Sequence, residues 1–159
     1  MPDSLPHTDA RWLIRALVVL LLAIAPAHAQ PITFETDLLR IETAEGMHEF
    51  VVELAETPEQ RGQGLMFRTE MAADHGMLFD FEPPKVASMW MHNTYLPLDM
   101  VFIKQDGTIS SIAADTTPLS DTVIRSREPV AAVLELNAGT AAELGIQPGD
   151  RVQHPWFEG

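Results

Sequence analysis

Eleven consecutive residues, Trp90 to Met100 (WMHNTYLPLDM), concentrate side chains that could bind a ligand or carry out chemistry. They include an indole, an imidazole, an amide, a phenol, a carboxylate and two thioethers. An aromatic face beside amides and carboxylates suits a sugar or another small polar molecule. We therefore predict a shallow ligand site, for which the candidate residues are Arg68, Trp90, His92, Asn93, Thr94 and Asp99.

A structural role for the same stretch is the main alternative. Asn93 and Thr94 suit a turn, because their side chains can bond the local backbone. Asp99 lies inside the apolar run LDMVFI, where a buried carboxylate needs a partner. Arg61 or Arg68 would supply that partner through a bidentate pair, and the arginines would fix a helix to the sheet.

A catalytic alternative uses two carboxylates. Asp99 and Glu135 both lie in apolar strand-like runs, and such a pair could perform acid–base work on a glycosidic bond. In the structural interpretation, Glu135 instead pairs with an arginine or with backbone amides. The sequence has no nucleophile elbow, phosphate-binding loop or HExxH motif. It therefore favours a binding or accessory domain over an enzyme and predicts no cofactor.

Copper binding is a third possibility. Thioether and imidazole ligands suit copper, and Met89, Met91 and His92 are neighbours in sequence, with the HGM motif at His75 to Met77 upstream. In a strand, however, Met89 and Met91 would share one face, and Trp90 and His92 would share the other. We expect the methionine face in the core and Trp90 partly exposed beside a concavity.

The N-terminus predicts export. Arg11 and Arg15 flank the start of the apolar run ALVVLLLAIA, and Ala27-His28-Ala29 forms an A-x-A site. This is the layout of a secretory signal peptide, and the run is about half the roughly 20 residues that a membrane span needs. We expect cleavage after Ala29, which places residues 30–159 as a single domain in the periplasm or outside the cell. An uncleaved anchor is the alternative.

Charge and cysteine content exclude several classes of function. The net charge is −13, and the signal segment contributes nothing to it. A domain this acidic is repelled by phosphate backbones, so we expect no nucleic-acid partner. The chain has no cysteine, which rules out catalytic thiols, thiolate-held zinc and disulfides. The remaining partners are a small polar ligand or an envelope component.

Turn and capping signals divide the chain into short elements. Gly46 predicts a hairpin turn, and Asp106-Gly107 predicts another. Thr57 predicts the N-cap of a short helix with a capping box, and Thr140 predicts a second one. About seven strands and two short helices follow, including a strand over VASMWMH. This pattern predicts a mainly β (α+β) fold, either a compact antiparallel sheet or a small barrel.

Several motifs in a fixed order resemble the bacterial and archaeal family called domain of unknown function 192. They are VELAETPEQRGQGLM, GMLF, WMHNTYLPLDMVFI, AVLELNAG and LGI-PGD, and they span roughly Glu42 to Val152. The resemblance implies one small β-rich domain, often exported, with no established activity. Matching positions include Glu53, Arg61, Gly64, Met66, Arg68, Gly76, Met91, Asn93, Thr94, Pro97, Asp99 and Glu135. Of these, Glu53, Arg61 and Glu135 are expected to be structural.

Overall fold

The computed structural model describes residues 31–157 of the chain. The predicted signal peptide, residues 1–29, lies outside the described residues. From residue 31 onward the chain forms one compact unit. Within residues 31–157, no helix is long and apolar enough to span a lipid bilayer.

The described part of the chain contains nine strands and two short helices. The strands are β1 (Glu35–Thr43), β2 (Gly46–Ala55), β3 (His75–Lys85), β4 (Ser88–Met89), β5 (Leu98–Ile103), β6 (Ile109–Thr116), β7 (Ile124–Arg125), β8 (Val130–Asn137) and β9 (Arg151–Gln153). The helices are α1 (Pro58–Gln63) and α2 (Thr140–Glu143), and a 3-10 turn follows at Pro155–Phe157.

Seven strands form one curled half-barrel sheet in the order β6-β5-β8-β3-β2-β1-β9. β4 and β7 form a separate two-stranded sheet. The predicted mainly β class is therefore confirmed, with two strands more than the expected seven. All pairs in the large sheet are antiparallel except β2 with β3, which run parallel. A parallel pair requires a crossover connection, and here that connection contains α1.

Local signals place the short elements as predicted. Thr57 caps α1: its hydroxyl accepts from the Gln60 amide at 3.2 Å, and the Gln60 side-chain oxygen accepts from the Thr57 amide at 2.9 Å. Gly46 begins β2 directly after the turn from β1. Gly107 turns the β5–β6 hairpin with φ of +82°, a conformation that glycine adopts without steric cost.

The sheet has an apolar cluster on each face. One cluster packs β1, β2 and β9 against α2 and the 3-10 turn. The other includes the buried methionines Met77, Met89, Met91 and Met100, which pack under the segment after α1. Every residue of β5 is buried, and so is β8 up to Leu136. Strands covered on both faces read as continuous apolar runs, which explains why LDMVFI and VAAVLEL show no alternation.

The capping of α2 differs from the prediction. Thr140 is its first helical residue rather than its cap, and the cap position is Gly139, which makes no side-chain hydrogen bond. The amide of Ala141 instead donates to Asp99 Oδ2 at 2.9 Å, from a residue 42 positions earlier in the chain. A carboxylate from β5 therefore accepts from a free amide in the first turn of α2, which the predicted capping box was expected to do.

Candidate functional site

Four side chains lie in a row across one face of the sheet. In the strand register Glu53 of β2 is opposite Met77 of β3, Met77 is opposite Glu135 of β8, and Glu135 is opposite Met100 of β5. Directly opposite residues share a face of the sheet. The row therefore sets two carboxyl groups among buried thioethers, and the two groups differ in their partners.

Glu53 is paired with Arg68, which lies in the segment after α1. The guanidinium makes a bidentate contact with both carboxylate oxygens, with 2.7 Å between Nη2 and Oε2. Its Cζ atom also lies 5.7 Å from the centre of the Phe34 ring. The hydrogen bond with Glu53 raises the pKa of Arg68, against partial desolvation. As predicted, an arginine fixes this segment to the sheet, but its partner is Glu53 and not Asp99.

Glu135 has no such partner. Its side chain is 4% exposed, and its carboxyl group makes no hydrogen bond or ion pair with the described residues. Burial alone raises the pKa of Glu135 from its usual range to about 8. The predicted pairing of Glu135 with an arginine or with backbone amides is therefore wrong. At neutral pH this carboxyl group holds its proton, and it can donate a hydrogen bond as well as accept one.

A cavity of about 210 Å³ opens beside Glu135. The segment that follows the start of α1 forms one wall, and the chain around β4 forms the other. Aromatic rings and thioethers make up most of the apolar lining, and hydroxyl, amide, guanidinium and carboxyl groups make up the polar part. The lining residues are Arg61, Gly62, Gln63, Gly64, Leu65, Met66, Phe79, Phe81, Ser88, Met89, Trp90, Thr94 and Glu135.

In the wall around Trp90, the methionines and the two rings lie on opposite sides of the chain, as predicted, although the predicted strand does not form. Only Ser88–Met89 is strand, and the chain leaves the sheet before Trp90. Met89 and Met91 are nevertheless buried, whereas Trp90 is 50% exposed and stacks on the His92 ring with 4.9 Å between ring centres. His92 Nδ1 lies 2.6 Å from Asp121 Oδ1. Buried methionines thus anchor this wall and turn the indole toward the cavity.

The turn after His92 joins two neighbouring loops. The carbonyl of Asn93 accepts from the Phe67 amide at 2.9 Å, and the carbonyl of Thr94 accepts from the Leu119 amide at 3.1 Å. Phe67, Asn93 and Leu119 all have positive φ values, between 51° and 65°. A left-handed backbone is costly for residues such as phenylalanine and leucine, and such strain clusters at functional sites. Asn93 and Thr94 form the predicted turn, and they bond it to the loops on both sides.

Asp99 lies away from the cavity and is fully buried. Its Oδ1 accepts from the Asp115 amide at 2.9 Å, and its Oδ2 accepts from the Ala141 amide at 2.9 Å. The expected arginine partner is absent among the described residues. Arg68 pairs with Glu53, and Arg61 donates to the Glu56 carbonyl. Asp99 is therefore a structural carboxylate that holds a strand bulge and the start of α2.

The pairing of Asp99 with Glu135 expected for a hydrolase is also absent. Asp99 is opposite Leu136 in the register, whereas Glu135 is opposite Met100. Neighbouring residues on a strand point to opposite faces, so the two carboxyl groups lie on different sides of the sheet. They cannot act together on one bond.

The copper ligands proposed from the sequence do not converge either. Met91 is buried, and its sulfur accepts from the Thr116 hydroxyl at 3.2 Å. The half-exposed His92 ring instead contacts Trp90 and Asp121. His75 Nδ1 is 2.8 Å from Asp74. Among residues 31–157, no group of three or more histidine or carboxylate side chains could hold a metal ion.

Of the six predicted ligand-binding residues, Trp90 and Thr94 line the cavity, and Arg68, His92, Asn93 and Asp99 do not. Arg61 and Glu135, which were expected to be structural, do line it. Sequence reasoning missed Met66, Phe79 and Phe81. The GMLFDF run signalled a strand, but nothing in it indicated that its alternate aromatic residues border a cavity.

Trp90→Ala is expected to lower the free energy of unfolding by about 1–2 kcal/mol, because only half of the residue is buried. Phe102→Ala is the matched control: this ring is buried in the core, and its truncation should cost about 3–5 kcal/mol. Urea denaturation of the two variants beside the wild type measures both effects. Equal losses would place Trp90 in the core and remove it from the cavity wall.

In the part of the chain that the structure describes, a curled half-barrel sheet, a crossover helix and a buried carboxyl group without a partner define a small β-rich domain with a cavity beside that group. The family model DUF192, described as an uncharacterized ACR, matches residues 40–154. The chain belongs to this family, as the resemblance implied.

Two solved structures share the fold. One is a protein of Sinorhizobium meliloti 1021, provisionally described as a transcription regulator: it is 55% identical, with a TM-score of 0.75, over 77% of this chain and 96% of that one. The other is a protein of unknown function from Novosphingobium aromaticivorans DSM 12444: it is 41% identical, with a TM-score of 0.76, over 83% of this chain and 94% of that one. No curated protein matches the sequence.

Proposed function

We propose that this domain binds a small polar ligand in the cavity beside Glu135 and acts as a binding or accessory module. The observation that carries the proposal is the buried Glu135 carboxyl group, which borders a cavity of about 210 Å³ and has no partner among the described residues. An unpartnered buried polar group lowers stability, and a ligand that bonds to it recovers the loss. A mostly apolar cleft with a few polar groups is the usual form of a small-molecule site.

Binding is favoured over catalysis by the composition of the cavity lining. The lining contains one carboxyl group and no imidazole, so its Ser88 and Thr94 hydroxyls have no histidine beside them to act as a general base. A hydrolase would need a second carboxylate beside Glu135, and Asp99 cannot supply it because it lies on the other face of the sheet. A sugar or another envelope component remains a candidate ligand, since Trp90 offers a half-exposed indole face.

The description of the Sinorhizobium relative does not support DNA binding for this chain. Its net charge of −13 opposes contact with a phosphate backbone. Regulation through a bound small molecule would be compatible with the cavity, whereas direct DNA contact would not be compatible with the charge.

The test is a thermal-shift screen of the purified protein against sugars, cell-wall fragments, amines and metal salts. A ligand that binds only the folded state raises the melting temperature. Ser88→Phe should abolish the response by filling the cavity, and Thr122→Phe, at an exposed residue outside the cavity lining, should leave it unchanged. A ligand whose effect survives in Ser88→Phe would show that binding occurs elsewhere.

Export is part of the same proposal and is tested separately. The arginine-flanked apolar run and the A-x-A site predict that the exported protein begins at Gln30. Intact-mass measurement of periplasmic and cytoplasmic fractions should find residues 30–159 in the periplasm. A full-length chain confined to the cytoplasm would contradict export without affecting the ligand site.

A further inference from the structure

We infer that the ligand of this cavity is a small organic ammonium ion whose positive charge is met by the Glu135 carboxylate. This inference rests on the proposed function and adds the chemical class of the ligand. It starts from the position of Glu135 in the sheet. The residue lies on the interior strand β8, between Met77 of β3 and Met100 of β5. Its neighbours in the row are thioethers that cannot neutralise a carboxylate.

None of the described ionisable side chains on the neighbouring elements forms an ion pair with Glu135. On β2, Glu53 is paired with Arg68, and on β3, His75 contacts Asp74. Among residues 31–157, the one cation of the cavity lining is Arg61 on α1, which donates to the neutral Glu56 carbonyl and makes no ion pair with Glu135. Burial is the only cause of the raised pKa of Glu135, so no neighbouring charge offsets it. The position for a counter-ion is therefore left to a ligand.

The remaining walls suit the body of an organic cation. Trp90, Phe79 and Phe81 border the cavity, and aromatic faces attract ammonium groups through the negative potential of their rings. Met66 and Met89 add polarisable thioethers. A cavity volume of about 210 Å³ leaves room for a small organic cation such as choline or n-butylammonium. The net charge of −13 also attracts cations toward the domain.

The affinity for the cation should depend on pH, because the cation and the proton compete for the Glu135 carboxylate. With a pKa of about 8, about 1% of Glu135 is ionised at pH 6 and about 90% at pH 9. A cation that binds only the ionised form should bind about 90-fold more tightly at pH 9 than at pH 6. Choline is the sharper probe, because its charge does not titrate and the change then reports the protein alone.

The experiment is isothermal titration calorimetry of the purified protein with choline chloride and n-butylammonium chloride at pH 6, 7, 8 and 9. The neutral control is 3,3-dimethylbutan-1-ol, which has the shape of choline without its charge. We expect choline affinity to rise with pH and one proton to be released on binding at pH 7. The neutral alcohol should bind more weakly and show no pH dependence.

Two variants with the same change in net charge locate the effect. Glu135→Gln should lose choline binding and its pH dependence, whereas Glu59→Gln, at an exposed α1 residue outside the cavity lining, should keep both. Melting curves of both variants check that they fold.

The outcomes separate this inference from the proposed function. In one outcome, choline and its neutral analogue bind equally and without pH dependence, and Ser88→Phe abolishes the binding of both. That result would overturn the inference that the ligand is an ammonium ion, but it would keep the cavity as the binding site. Absence of ammonium binding at pH 9 would overturn the inference too, while a neutral hit in the thermal screen would still support the site. Ammonium binding that persists in both Ser88→Phe and Glu135→Gln would overturn both.

Discussion

Replacing Glu135 by Gln should remove a contribution of about 3–6 kcal/mol to stability that we expect the Glu135 carboxyl group to lose between about pH 4.5 and pH 8. The folded carboxyl group keeps its proton up to about pH 8, whereas the unfolded group loses it near its ordinary value of 4.5. Unfolding therefore releases a proton in this window, and stability falls as the pH rises. The contribution is fully present below about pH 4.5 and is lost as the pH rises through about 8.

Urea denaturation of both proteins from pH 4.5 to pH 9 measures this difference. The other carboxylates titrate in both proteins, so subtracting the two profiles isolates Glu135. The side-chain amide of the Glu135→Gln variant does not titrate, and the gap between the curves should change by the full amount across the window. Parallel curves would mean that Glu135 is hydrated and that its pKa is close to ordinary.

Asp99→Ala should lower the free energy of unfolding by about 3–5 kcal/mol. The carboxylate accepts from the Asp115 and Ala141 amides, and truncation leaves a partly buried donor and a buried donor without their partner. Each unpaired donor costs about 1–3 kcal/mol. The loss should appear as a shift in the urea midpoint with little change in slope.

Asp106→Ala is the matched control for Asp99→Ala. Asp106 also accepts from a backbone amide, that of Thr108 at 2.9 Å, but it lies in an exposed turn where water replaces the lost bond. Its truncation should cost less than about 1 kcal/mol. Similar losses in the two variants would mean that water reaches the Asp115 and Ala141 amides as well.

Signals contained within a few residues predicted several elements correctly, although the capping box expected at Thr140 is absent. The capping box at Thr57 and the turns at Gly46 and Asp106-Gly107 depend on neighbours in the chain, and all three are present. Burial of Met89 and Met91 also followed from simple alternation, even though their predicted strand is two residues long.

Interactions between distant residues explain what the sequence did not predict. The burial of Asp99 was predicted, but its partners lie 16 and 42 positions away, and they are backbone amides that carry no sequence signal. The cavity likewise forms where the crossover after β2 meets the segment after β4. Glu135 shows the other outcome open to a buried carboxyl group, which keeps its proton instead of finding a partner, and such positions are expected at functional sites.

Because β2 and β3 run parallel, a long connection joins them, and this connection supplies one wall of the cavity while Glu135 lies on a strand. The register of the Glu135 strand is held on both sides, whereas one wall of the cavity belongs to the connection between β2 and β3, and the other lies around the two-residue strand β4. Connections accept insertions and deletions at small entropic cost, and strands do not. Related domains could thus enlarge, narrow or reshape the cavity by changing loop length alone. Under the proposed function, the strand would set which charge is recognised and the loops would set which molecule carries it.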